Sequence, residues 1–244
     1  MANLSARGIL RVWELGEEQD AHGRAVLLLV LAHPDQPRER LGTLPLGARD
    51  AELLALRCEA LSPELKGRTF CPRCGERLQF RLDGPGLFPA HAALEHPPAT
   101  VTLEDVEVVF RLPAGGDLAA ARACSDVAAA RLLLLRRCVL SCRREGAGLA
   151  VEELSEAAVA ALGEAMLERD PGAELRVDLS CAACGQDWWV VLDVGDFFWQ
   201  EIAALAQRLV GEITALAAAY GWSESEILGM GSARRKLYLE AIRR

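Results

Sequence analysis

The residues of this chain best suited to chemistry are its cysteines, and four of them recur in one pattern. Cys71-Pro72-Arg73-Cys74-Gly75 is matched by Cys181-Ala182-Ala183-Cys184-Gly185. In a Cys-x-x-Cys turn two thiolates grip one face of an ion while the backbone reverses, and two such turns supply the four sulfurs of a tetrahedral zinc site. Glycine directly after the second cysteine relieves the steric cost of a positive φ at that point. The likeness continues past the turns. Leu78, Phe80 and Leu82 follow the first at alternate positions, as Trp188, Val190 and Leu192 follow the second, so an apolar-every-second-residue strand is expected behind each. Two matching half-sites point to one composite ribbon holding structural Zn2+ through Cys71, Cys74, Cys181 and Cys184.

Ordinary ribbons place their pairs about 15–20 residues apart, whereas more than a hundred residues intervene between Cys74 and Cys181. Such a gap is admissible, because closure cost grows only logarithmically with loop length and a folded insertion can hold its own ends together. A disulfide within either pair and a thioredoxin-like redox pair are the alternatives. Redox chemistry is the poorer fit, since it wants the motif ahead of a helix, with a depressed thiol pKa, and here a strand is expected instead. Cys138 and Cys142 stand one helical turn apart, with Leu135 and Val139 on the same expected helix face. They are read as core residues, the usual fate of a free cysteine. Cys58 and Cys124 receive no role. His33 and His96 each precede proline and His91 lies in a Pro/Gly-rich stretch, so none is read as a ligand.

The elements that must position the cysteines give an α+β reading. Residues 1–69 are expected to form a helical cap, with helices near Leu4 to Leu15, Ala25 to Ala32 and Ala48 to Leu61. Residues 70–194 form the split, zinc-ribbon-like antiparallel β core, interrupted over about 84–173 by a helical insertion. Within that insertion one strand is expected from Thr102 to Leu112 and two or three helices from Asp117 to Glu168. Leu175, Val177 and Leu179 return as a strand into Cys181, which makes the ribbon sheet the centre of the reading. Residues 195–244 carry a long amphipathic helix, with Ile202, Leu205, Leu209, Ile213, Leu216 and Tyr220 at helical spacing, and a small helical tail. Gly221 suits the end of the long helix, Ser223 and Glu226 form a capping box, and Ser232 can start a last helix toward Arg243.

With 244 residues, 51% of them hydrophobic, the chain can bury a substantial core. Its 27 basic against 35 acidic residues give a net charge of −8, which disfavours a general nucleic-acid binder. The cysteine usage and the lack of a charged leader followed by an apolar core point to a reducing cytoplasm. The longest early apolar run, Ala25 to Ala32, is too short to span a bilayer, so no membrane insertion is expected. A phosphate loop, a His-Glu-x-x-His helix and a Gly-x-Ser-x-Gly elbow are all missing from the sequence. No catalytic residue, small-molecule substrate or enzymatic activity is therefore expected. Trp13, Phe197, Phe198, Trp199 and Trp222 are large enough to anchor a protein interface. The candidate partner surface comprises Trp199 and Trp222 with Arg234, Arg235, Lys236, Leu237 and Tyr238; its cations could equally be a solvated helix face.

Several strings together resemble a known family: Leu10-Arg11-Val12-Trp13-Glu14-Leu15-Gly16, Leu44-Pro45-Leu46-Gly47-Ala48-Arg49-Asp50, Phe110-Arg111-Leu112-Pro113, Phe197-Phe198-Trp199 and Tyr220-Gly221-Trp222-Ser223, with both cysteine pairs. The chain is similar to the T-even phage type baseplate hub assembly proteins, also found in contractile injection system clusters. The resemblance implies a non-enzymatic factor that helps build the central hub of a contractile tail baseplate, with other baseplate or hub proteins as partners. Release after assembly and retention in the particle as a permanent structural subunit both stay open, as does a less favoured zinc-ribbon nucleic-acid binder.

Overall fold

The computed structural model describes residues 5–87 and 96–242. Leu4, His91 and Arg243, named above, lie outside them. Four helices open the chain: α1 (Ala6–Gly16), α2 (Ala21–Ala32), α3 (Arg38–Gly42) and α4 (Leu46–Ala60). Ser5 and Asp20 cap the first two by accepting the N–H groups of Gly8 and Gly23 at 3.2 and 2.7 Å, satisfying donors that a helix start leaves orphaned. A hairpin follows, β1 (Glu64–Phe70) and β2 (Arg77–Asp83), with Cys71 and Cys74 at its tip. Its counterpart, β7 (Arg176–Ser180) and β8 (Asp187–Val191), carries Cys181 and Cys184 in the same place.

Between the hairpins lie β3 (Ala99–Leu103), β4 (Val106–Phe110), α5 (Gly115–Arg122), α6 (Val127–Cys138), β5 (Val139–Arg144), β6 (Ala147–Gly148) and α7 (Glu156–Arg169). After β8 come α8 (Val194–Tyr220), α9 (Glu224–Leu228) and α10 (Ser232–Ile242). The α+β class holds, with three small antiparallel sheets. The two hairpins are separate two-stranded sheets, and the four-stranded sheet, ordered β3-β4-β5-β6, belongs to the intervening segment.

Three expectations require correction. The single strand placed over Thr102 to Leu112 is a hairpin: Glu104, at φ 55°, turns the chain between β3 and β4. The run from Asp117 to Glu168 is not purely helical, because α6 stops at Cys138 and β5 begins at Val139 to pair with β4. Cys138 and Cys142 are thus the end of a helix and a strand position opposite Val108, although both are buried as expected of core thiols. The N-terminal segment also holds a fourth short helix, α3, that its hydrophobic spacing did not announce.

Two apolar clusters result. The first joins α1, α2, α4 and α8 through Leu28, Leu29, Leu53, Phe198 and Ile202, and the bases of both hairpins pack into it through Leu65, Leu82, Leu175 and Leu192. The second packs the intervening sheet on α7 through Val108, Phe110, Ala158 and Leu162. By length and composition α8 is the one described helix able to cross a bilayer. Here Phe198, Ile202, Ala206, Leu209 and Leu216 on one side of it are buried against protein.

Charges tie these parts together. Arg57, 3% exposed, donates to both carboxylate oxygens of Glu201 at 2.8 and 2.7 Å and to the carbonyls of Ser62 and Glu64. Asp117 accepts from Arg111, Arg137 and the Ala114 N–H. Asp170, after α7, accepts the Gly47 N–H at 2.9 Å and so fastens the end of the intervening segment to the start of α4. Removing one member of a buried pair leaves the other charge uncompensated, at a cost of about 3–5 kcal/mol. Glu201 keeps partial solvent access, which favours the lower end. Arg57→Ala is expected to lose about 3 kcal/mol in urea unfolding. Arg57→Lys should recover little, because a single ammonium cannot span a carboxylate and two carbonyls at once.

Candidate metal centre

Each cysteine turn is built by the same local bonds. In the first, the Cys71 N–H donates to the Glu76 carbonyl at 2.8 Å and the Gly75 N–H to the Cys71 carbonyl at 2.9 Å. In the second, Cys181 donates to Gln186 at 2.9 Å and Gly185 to Cys181 at 2.8 Å. Gly75 and Gly185 take φ of 72° and 67°, the left-handed conformation anticipated from their position after the second cysteine. No neighbouring atom crowds either glycine, so backbone conformation alone selects the residue.

The turns meet tip to tip across more than a hundred residues of sequence. Cys71 Sγ lies 3.6 Å from Cys184 Sγ and Cys74 Sγ lies 3.7 Å from Cys181 Sγ, with all four sulfurs within 4.8 Å of one another. A disulfide needs about 2.05 Å, and none is present among these thiols. Four sulfurs at about 2.3 Å from a central zinc would stand about 3.8 Å apart in a regular tetrahedron, which fits the observed spacing. The geometry also sets the protonation problem. Two thiolates 4 Å apart repel by about 4 kcal/mol at an effective dielectric constant of about 20, so the group cannot be fully ionised without a cation. Burial raises the Cys71 thiol, but the N–H groups of Cys74 and Arg73 outweigh it and bring the value down to about 7. At Cys184 the Gln186 N–H favours the thiolate, yet burial and the three neighbouring thiols push the value up to about 12.

The remaining cysteines do not join this group. Burial lifts Cys138 to about 11 and raises Cys142, as suits inert core thiols. Cys58 and Cys124 are half-buried and distinct from the cluster. His33 Nε2 pairs with Glu52 Oε2 at 2.6 Å, and His96 lines a cleft beside Arg111. Among the described residues the four cysteines are the only such group of at least three donors close enough to share an ion.

The sequence-based partner surface is rearranged. Trp199, 4% exposed, is a core residue: its ring lies where a Cβ on Gly16 would stand, and Arg24 stacks on it at 4.8 Å. Arg235 is also buried, donating to Glu212 at 3.1 Å and to the Met230 carbonyl at 2.6 Å, so it is no surface cation. Trp222, half-buried, stacks on Tyr220 at 4.5 Å while Tyr238 meets both rings edge-on. Arg234, Lys236 and Leu237 remain exposed. Of the other large anchors, Phe198 is buried and Trp13 and Phe197 are half-buried. Among the described residues the exposed aromatics are Phe70, at 67%, Trp189, at 50%, and Tyr220, at 40%, the first two on the hairpins. Period-two alternation sets Phe70 and Trp189 on the face opposite the inward Leu78, Phe80, Trp188 and Val190, a signal that side-chain size alone does not carry.

A family model described as T4 bacteriophage base plate protein matches residues 14–199, a range that includes both cysteine turns. The chain belongs to that family. No curated protein and no solved structure matches it. The tail string Tyr220-Gly221-Trp222-Ser223 lies beyond the matched residues.

One equivalent of zinc is expected per chain, read by elemental analysis, and Cys74→Ser or Cys184→Ser should release it with loss of stability. Ion capture must displace protons from thiols held as high as about 12. Affinity should therefore rise with pH and fall steadily below about 7, where Cys71 also protonates. A metal-free protein with two intact disulfides would rule the centre out.

Proposed function

We propose that this baseplate family member is a non-enzymatic assembly factor for the hub of a contractile phage tail or contractile injection system, with Zn2+ as a structural crosslink. The observation that carries the crosslink is the convergence of four sulfurs within 4.8 Å at the tips of two hairpins. Four thiolates fill a tetrahedral shell and leave no position for water or substrate, so an ion there joins segments and does not react. Such a joint makes the two hairpins a zinc ribbon formed from distant parts of one chain.

Membership in a baseplate family supports other baseplate proteins as partners. The hub, as the particular station of action, rests on the similarity of the N-terminal, central and Tyr220-Gly221-Trp222-Ser223 strings to hub assembly proteins. Exposed apolar side chains such as Phe70, Trp189 and Leu237 support docking on protein. They suit a transient factor and a permanent subunit alike.

Isolation of finished particles separates these two. An assembly factor should be found by mass spectrometry with hub intermediates and be missing from completed tails, and its deletion should stop hub formation. Stoichiometric presence in completed particles would instead establish the permanent-subunit reading.

A further inference from the structure

The two hairpins are alike inside and different outside. On β1 and β2 the inward side chains Leu65, Leu78, Phe80 and Leu82 pack, with the Phe80 ring lying across Gly67. The outward positions hold Lys66, Arg68 and Phe70 on β1 and Arg77, Gln79 and Arg81 on β2, all exposed. Register sets Lys66 opposite Arg81, Arg68 opposite Gln79 and Phe70 opposite Arg77. Glu64, at the base, is the acid that pairs with this face, meeting Lys66 at 3.2 Å and Arg81 at 3.1 Å. Arg68 and Arg77 have no hydrogen-bond or ion-pair partner among the described residues.

Lys66 opposes Arg81, a like-charge pair that Glu64 offsets, whereas Arg68 and Arg77 face the neutral Gln79 and Phe70 and gain no ion pair, so hairpin stability does not account for these two cations. The second hairpin serves as an internal control. Its outward face, Arg176, Asp178 and Ser180 on β7 with Asp187, Trp189 and Val191 on β8, is mixed in charge and holds the matching cysteine turn equally well. Arg68 and Arg77 are therefore surplus to the fold. They are also opposite in sign to the chain, whose net charge is −8.

We propose that the outer face of β1–β2 is a docking surface for a carboxylate-bearing protein surface on another baseplate component. Arg68 and Arg77 pair with acidic side chains, and Phe70 inserts beside them as an apolar anchor. The face is rimmed by Glu64, Glu76 and Asp83. That rim suits a partner with separately placed carboxylates and opposes a continuous polyanion, which would run over it; this favours protein over nucleic acid. The partner class rests on the baseplate reading, whereas the location of the surface rests on the two hairpins alone.

The test mixes the full-length, zinc-loaded chain with each purified baseplate protein of the same particle and measures affinity at low and high salt. The double variant Arg68→Glu, Arg77→Glu should weaken the recognised complex by at least about tenfold, and raised salt should weaken the wild-type complex in the same direction. Phe70→Ala should weaken it with little change in salt dependence. Metal content and thermal unfolding should stay unchanged, because all three side chains are exposed. Trp189→Ala, on the control face, should bind normally. Wild-type affinity in the charge-reversed protein would overturn the proposal while leaving the baseplate reading intact. Failure of the wild-type chain to bind any baseplate protein would overturn both. Retention of an oligothymidylate by the wild type, lost in the charge-reversed variant, would reassign the face to nucleic acid.

Discussion

Arg57 sits where the supports of both hairpins converge. Its guanidinium holds Glu201 on α8 and the carbonyls of Ser62 and Glu64, the residues that lead into β1. Because α8 starts directly after the β8 exit at Leu192 and Asp193, this one group relates the root of the first hairpin to the exit of the second. The leverage is large. Seven strand residues reach about 23 Å, so a 5° error at the root would displace a cysteine at the tip by about 2 Å. Metal ligation tolerates only about 0.2 Å. The packing of Leu65, Leu82, Leu175 and Leu192 into the first apolar cluster supplies the stiffness, and Arg57 ties the root of β1 to α8.

A two-stranded hairpin is marginal by itself, and this chain supports two by docking their roots and bringing their tips together. The long intervening segment does not undo that arrangement because it folds on its own apolar cluster and is fastened at its boundaries. Asp170 holds the start of α4, Pro45 bridges to Ala114, and Arg122 reaches Asp193 at 3.5 Å. The distance along the chain between the cysteine pairs is thereby replaced by a short, defined distance in space.

Features dictated locally were legible in the sequence. The cysteine turns, the glycines after them, the Ser223–Glu226 capping box and the apolar stripe of α8 depend on neighbours a few residues away, and each is found where its pattern placed it. What depended on distant partners was not. Leu135, Cys138, Val139 and Cys142 satisfy a helical spacing, but pairing with β4 draws Val139 onward into a strand. Arg235 reads as a surface cation and is buried, and Arg57 carries no local sign of its burial, since only the fold brings Glu212 and Glu201 to them. Trp199 and Trp189 are equally large; alternation along β8 turns Trp189 outward, but nothing near Trp199 in sequence tells that Gly16 makes room for it.

The order of the two cysteine turns along the chain has a consequence for biosynthesis. Cys71 and Cys74 leave the ribosome while Cys181 and Cys184 are still untranslated, so the first turn exists for a time as an open dithiol. Throughout that interval it would be half of the shell a zinc ion needs, accessible to oxidants, to other thiols and to ions that prefer two ligands. The nascent protein must keep that dithiol reduced and unclaimed until β7 emerges. With zinc as the ion bound by this cluster, the cell's thiol buffer and its free-metal pool would act on the yield of the protein during translation, before folding is complete.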